Sequence, residues 1–250
     1  MPLDSAPQRA RAQLISVAKA AAAGLGGAEF DALSRVPLGE NPRRAAVLVL
    51  FGILDSLSSE HQAQSDALSR DLDLLLLSRA TTLRSHPGQV ALPGGRVDPE
   101  DDSPIAAALR EAREETGLDP AGVEVLGTLE DLPLAYSRHL VTPVLAWWRH
   151  PSPVHAVDHA ESADVFRAPV ADLVDPANRG VTVIRRDGQE WRGPGFLVGQ
   201  GEDAHLVWGF TGMLLDGLFT RLGWTEPWDD TRELALVLPD EPAAAGAARS

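Results

Sequence analysis

The chain reads as an α/β (α+β) protein in which a mixed β-sheet lies between helices, and three observations carry that reading. Short β-branched and leucine-rich runs occur before, between and after two main helical stretches, as expected for a sheet covered by helices. The 44% apolar content of the 250 residues suffices for a sizeable core. No G-x-G-x-x-G follows a strand and no P-loop lysine motif is present, so neither common nucleotide cradle explains the glycines.

Taken in order, the alanine-rich start reads as helix, and residues 1–42 are assigned to an N-terminal helical extension. RRAAVLVLFGI (43–53) has the β-branched character of a buried strand. After a polar loop, LLLLSRA (74–80) supplies a second strand, in hairpin relation to the first. The stretch 81–104, dense in Pro, Gly and Asp, reads as a long ordered loop. It leads into a helix over 103–116, capped by Asp102 or Ser103, with Pro104 in the first turn. Gly117 ends that helix by the left-handed route open to glycine. Strands follow at VEVLGTLE and LVTPVLAWW, a mixed segment at VFRAPVADLV, and strands again at GVTVIRR and GPGFLVG. A last helix covers 209–223. The main domain is set at 43–235, and 236–250 reads as a disordered tail.

Charge and composition exclude several classes. No apolar run approaches the roughly 18–20 residues of a membrane span, and the N-terminus lacks a signal-peptide pattern, so a cytoplasmic protein is expected. The absence of cysteine removes disulfides, thiolate metal sites and a cysteine nucleophile. A formal charge of −14 disfavours nucleic acid as a partner.

Chemistry concentrates in LREAREETGL (109–118). At 100° per residue Glu111, Glu114 and Glu115 fall within an arc of roughly 100°, while Ile105, Leu109, Ala112 and Thr116 form another stripe. Ala107 and Ala108 lie one turn earlier on the acidic side and are expected to leave room for a ligand. Carboxylates in a last turn face the negative end of the helix dipole, at about 0.3–1 kcal/mol each. An Arg110–Glu114 pair returns only about 0.2–0.5 kcal/mol. A hard divalent cation such as Mg²⁺ or Mn²⁺ would neutralise this face. The alternative is a solvated helix face.

GGRVDPEDDSPIAAALREAREETGL resembles the Nudix box, the loop-helix-loop of a hydrolase family acting on nucleoside diphosphates linked to other moieties. Arg110, Glu111, Ala112, Glu114, Glu115, Gly117 and Leu118 match its second half, whereas counting seven back from Arg110 places Asp102 where Glu is usual. The resemblance implies a Nudix-type α/β/α sandwich and a bound Mg²⁺ or Mn²⁺. It carries metal binding to Glu111 and Glu115, with Glu114 as a further ligand and the Gly95 carbonyl as a backbone ligand. It makes Glu114 and Glu111 the catalytic carboxylates.

LLSRATTLRSHPGQVALPGG (76–95) is similar to the signature of the coenzyme A diphosphatase branch, although Leu92 stands where Phe is common. That likeness implies a small nucleotide substrate, coenzyme A or a derivative, bound by Arg79, Arg84, His86 and Gln89, with 3′,5′-ADP and 4′-phosphopantetheine as products. Arginine suits phosphate because its guanidinium presents a fixed donor fork; the plainer role for Arg79 and Arg84 is pairing with nearby Asp. His86 and Gln89 are open between substrate contact and loop structure. Glu161 stands where related proteins often carry a further metal ligand or base, with a plain surface acid as the alternative. Trp147, Trp148 and Trp208 read as packing rather than base stacking. Two further readings stay open: hydrolysis of ADP-ribose, a dinucleotide or a nucleoside triphosphate, and a nucleotide-binding module without turnover. A homodimer is the assembly considered.

Overall fold

The computed structural model describes residues 5–25, 27–34, 38, 41–53, 58–80, 88–134, 138–186, 188–199 and 204–236. In chain order the elements are α1 (Ala6–Ala22), α2 (Asp31–Ser34), β1 (Arg43–Ile53), β2 (Leu72–Arg79), β3 (Val90–Ala91), β4 (Gly94–Arg96), α3 (Pro104–Thr116), β5 (Val123–Thr128), β6 (Leu132–Leu134), β7 (His139–Trp148), β8 (Ser162–Pro169), α4 (Val170–Val174), β9 (Arg179–Arg186), β10 (Gln189–Val198), β11 (His205–Val207) and α5 (Gly209–Leu222). The mixed α+β class expected from the sequence is the one found.

The main sheet runs β3-β2-β1-β7-β5, with β4 beside β1, β6 beside β7 and β8 beside β2. β1 and β7 are parallel, and β1 and β2 form the expected antiparallel hairpin. A smaller antiparallel sheet runs β11-β10-β9. β1 is central because both of its faces are apolar. Ala46, Leu48 and Leu50 point into one core with Ala107, Ala108 and Ala112 of α3, while Val49 and Phe51 point into the other with α1 and α5. This alternation makes the sandwich, with α3 as one outer layer and α1 and α5 as the opposite one.

α1 belongs to that second core through Ala10, Leu14, Val17 and Ala18, a stripe at helical spacing. Ala18 packs on a bulge of β5 at Gly127, whose φ is +144° and where any Cβ would sit 2.9 Å from the Ala18 methyl. Midway along α1, Trp224 donates its indole N–H to Gln13 Oε1 at 2.6 Å. Glu124 of β5 takes hydrogen bonds from Arg149 at 2.7 Å and from Arg11 of α1, and these hold its carboxyl down to about 2.

Several elements differ from the sequence reading. The stretch 81–104 is not uniform loop: it contains β3 and β4, each too short for its own hydrophobic period. Residues 81–87 of it lie outside the described residues, as do 237–250 of the expected tail. β6 and β11 are three-residue strands with the same difficulty. The α3 cap is Ser103, whose Oγ accepts the Ala106 N–H at 3.2 Å, and not Asp102. No helix among the described residues is long and apolar enough to cross a membrane.

Within the α3-side core, Asp73 of β2 is buried and meets Arg167 of β8, whose Nη2 donates to Asp73 Oδ1 at 2.9 Å and to the Ile53 carbonyl at 2.8 Å. The guanidinium lies 4.9 Å over the Trp148 ring. Burial raises the Asp73 pKa despite that cation. Asp73→Ala should therefore destabilise the fold by about 3–5 kcal/mol in urea unfolding at pH 7, because it strands a partly buried cation, while Asp73→Leu with Arg167→Met should stay within about 1 kcal/mol of wild type. Glu124→Gln should cost about 1 kcal/mol at neutral pH by releasing α1. Because the folded pKa is lowered from 4.5 to about 2, that stability is complete above pH 4.5 and is lost as pH falls towards 2, so the gap between variant and wild type should close over that window in chemical unfolding.

Candidate active site

The site is built where α3 crosses β4. Ala107, Ala108 and Ala112 are completely buried against β1, so the helix backbone approaches the sheet closely. This corrects the expectation that Ala107 and Ala108 leave room for a ligand: they share the acidic side of the helix, but that side faces the sheet. One turn later the same side runs over β4, and there Gly94 and Gly95 leave room for carboxylates. Gly94 donates its N–H to Glu115 Oε2 at 2.9 Å. A Cβ on Gly95 would overlap the Glu111 carboxylate, so the carboxylate occupies the space a side chain would need.

The two inner acids are driven away from their ordinary titration. Burial raises Glu115 to about 7, with Glu111 and Glu161 pushing the same way and the Gly94 N–H and the Arg79 charge opposing. Burial likewise raises Glu111. Glu114 is the outer acid, its side chain 59% exposed. No three acidic or histidine side chains converge into a closed metal cage among the described residues.

Arg110 organises the outer side. The predicted Arg110–Glu114 pair is present at 3.1 Å, and the same Nη1 reaches Glu111 Oε1 at 3.1 Å. The stronger partner was missed: Nε and Nη2 grip both oxygens of Asp101 at 3.0 and 2.8 Å, and Nη2 also donates to the Arg96 carbonyl at 3.0 Å. Asp101, held low by the Arg110 hydrogen bonds, is thus the acid joined to the arginine, while Asp102 is exposed. A signal for this existed. Counting back from Arg110 gives Asp102, but the box also sets five residues between its glycine and its first acid, which from Gly95 gives Asp101 and leaves eight residues instead of seven between Asp101 and Arg110.

A second wall faces the acids. Arg79 ends β2 at a bulge opposite Ser162 of β8, on the side of Leu75, which packs under α3. Its Nε is buried and has no hydrogen-bond partner among the described residues. The Gln89 carbonyl accepts the Arg79 N–H at 3.0 Å, and the Gln89 side-chain amide rests on Gly209 at the start of α5. Glu161 is exposed, and its carbonyl accepts the Ala80 N–H at 2.9 Å, which brings it beside Arg79. Arg84 and His86 lie outside the described residues. Trp147 and Trp148 are buried in the two cores, as the packing reading expects, and Trp208 stands at the N-cap of α5.

The NUDIX domain family model matches residues 61–180. The uncharacterized Nudix hydrolase NudL of Photorhabdus laumondii is 39% identical over 145 residues, spanning 58% of this chain and 74% of that protein. The mitochondrial Nudix hydrolase 15 of Arabidopsis thaliana is 33% identical over 192 residues, 73% of this chain and 60% of that protein. A solved MutT/nudix family protein from Enterococcus faecalis is similar at a TM-score of 0.43 and 18% identity, covering 82% of this chain and 72% of that one. A chain that covers 74% of NudL at 39% identity, and whose domain match contains both β4 and α3, belongs to the Nudix hydrolase family.

Proposed function

We propose that this Nudix hydrolase cleaves the diphosphate bond of coenzyme A or an acyl-CoA, giving 3′,5′-ADP and (acyl-)4′-phosphopantetheine. The observation that carries the reading is Arg79, whose buried Nε has no partner among the described residues and whose charge lies close enough to Glu115 to pull its pKa down. A guanidinium fork beside an acidic wall suits the oxygens of a diphosphate. Arg79 and Gln89 also belong to the stretch that resembles the coenzyme A diphosphatase signature, together with Arg84 and His86.

The acidic wall fits a hard divalent cation. Its donors are all oxygen, and Glu115 is a largely buried carboxylate raised to about 7, an environment that a nearby cation would offset. Glu111, Glu115, Glu114 and the Gly95 carbonyl would hold Mg²⁺ or Mn²⁺, which when bound supplies charge stabilisation to the phosphoryl oxygens. Arg79 orients the diphosphate against that wall. Glu114, the most exposed of the three acids, or its neighbour Glu111 takes the proton from the attacking water. Arg110, anchored by Asp101, keeps both of those carboxylates in place.

Incubation of the purified protein with coenzyme A and Mg²⁺ or Mn²⁺ should release 4′-phosphopantetheine, followed by mass spectrometry. A higher kcat/KM for ADP-ribose, a dinucleotide or a nucleoside triphosphate in a parallel panel would sink the substrate assignment. Glu115→Gln should lower kcat by about 10²–10³-fold, since it removes a charged group acting on the transition state, and full activity would reject the metal role. Gly95→Ala should displace the Glu111 carboxylate and lower kcat by about 10–100-fold with little change in Tm; unchanged kcat would disconnect Glu111 from the chemistry.

A further inference from the structure

We infer that Asp158 is a positioning residue: it folds a backbone bracket, residues 155–162, that fixes the separation between Glu115 and Arg79. The inference rests on the reading of Glu115 and Arg79 given above. One end of the bracket is fastened to the last turn of α3, where the N–H of His155 donates to the Thr116 carbonyl at 3.0 Å and that of Val157 to the Glu115 carbonyl at 3.2 Å. These are the end-of-helix carbonyls that lack partners within the helix itself. The His155 ring also rests on Gly117, 3.0 Å from where a Cβ would be.

The other end is fastened to the end of β2. Ala80 donates its N–H to the Glu161 carbonyl at 2.9 Å, and Ser162 pairs with Arg79 at the bulge. Between the two ends the chain reverses at Asp158. Its carbonyl accepts the N–H groups of Glu161 at 3.0 Å and Ser162 at 2.9 Å, and its side-chain Oδ1 accepts the N–H of Ala160 at 2.8 Å. Asp is suited to this place because a carboxylate two residues ahead of an N–H closes such a turn locally. One eight-residue segment therefore holds the backbone of a proposed metal ligand and that of a proposed phosphate-binding cation, although they come from different layers. Among the described residues the hydrogen bonds of Asp158 go to backbone N–H groups of 160–162 and to neither functional side chain.

Asp158→Ala leaves each wall intact and loosens only their spacing. It should lower kcat by about 10–100-fold while KM and the affinity for Mn²⁺ alone, by titration, stay within about 3-fold, as expected when reacting groups are bound but misplaced. Asp158→Asn, which keeps an Oδ1 acceptor, should restore kcat. In hydrogen exchange the amides of Ala80, His155 and Val157 should speed up together in Asp158→Ala. Exchange changes confined to 159–162, a kcat left intact, or a fall in Mn²⁺ affinity matching the fall in kcat would each overturn the inference. If the wild type hydrolyses no nucleoside diphosphate derivative, the functional reading fails, and the joint response of the three amides still decides the bracket.

Discussion

The close approach of α3 to β1 and β4 is the constraint on which the rest of the site depends. Three alanines, Ala107, Ala108 and Ala112, let the helix lie directly on Ala46, Leu48 and Leu50, and two glycines, Gly94 and Gly95, extend the shallow surface past the end of that apolar contact. A larger residue at any of these positions would lift the helix or expel an acid. The same geometry that packs the fold therefore partly buries both Glu115 and Glu111, and burial is the leading cause of both raised pKa values. Packing and electrostatics here are a single arrangement seen at two ends of one helix face.

That arrangement carries a cost which Arg110 only partly offsets. It neutralises the outer side, sharing Nη1 between Glu111 and Glu114, but its best hydrogen bonds go to Asp101, so it is itself held in the loop that precedes α3. Among the described residues Glu115, the innermost of the three acids on α3, receives no arginine hydrogen bond and is met by one backbone N–H and the field of Arg79. The least compensated carboxylate thus sits at the inner end of the helix face, on the side of Arg79.

Much of this was legible in the sequence because it repeats at short range. The ends of β1 and α3, the Gly117 stop and the shared face of Glu111, Glu114 and Glu115 follow from β-branched runs, helical spacing and glycine conformation. What escaped depends on contacts between distant segments or on elements shorter than a hydrophobic period. β4 holds three residues, two of them glycines, and only its pairing with β1 makes it a strand. The choice between Asp101 and Asp102 turns on which way a loop folds, and spacing counted from one side alone picks the wrong acid. Ala107 and Ala108 were placed on the acidic side correctly, but helical spacing does not say which way that side looks.

The two walls also differ in how they are made, and this bears on how the site works. The acidic wall is a single helix clamped on a sheet by buried apolar contacts, which makes it rigid. The basic wall is the end of β2 and the turn before β8, held by backbone hydrogen bonds around a bulge. Bulges recur beside active sites because one extra residue redirects a side chain without disturbing the strand behind it. Here the extra residue is Ala163 of β8, opposite the step from Ser78 to Arg79, and the strand behind it stays fixed by Leu74, Leu75 and Leu76 in the two cores. The two walls therefore rest on different supports, apolar packing for the acids and backbone hydrogen bonds for Arg79, and the segment 155–162 is bonded to both.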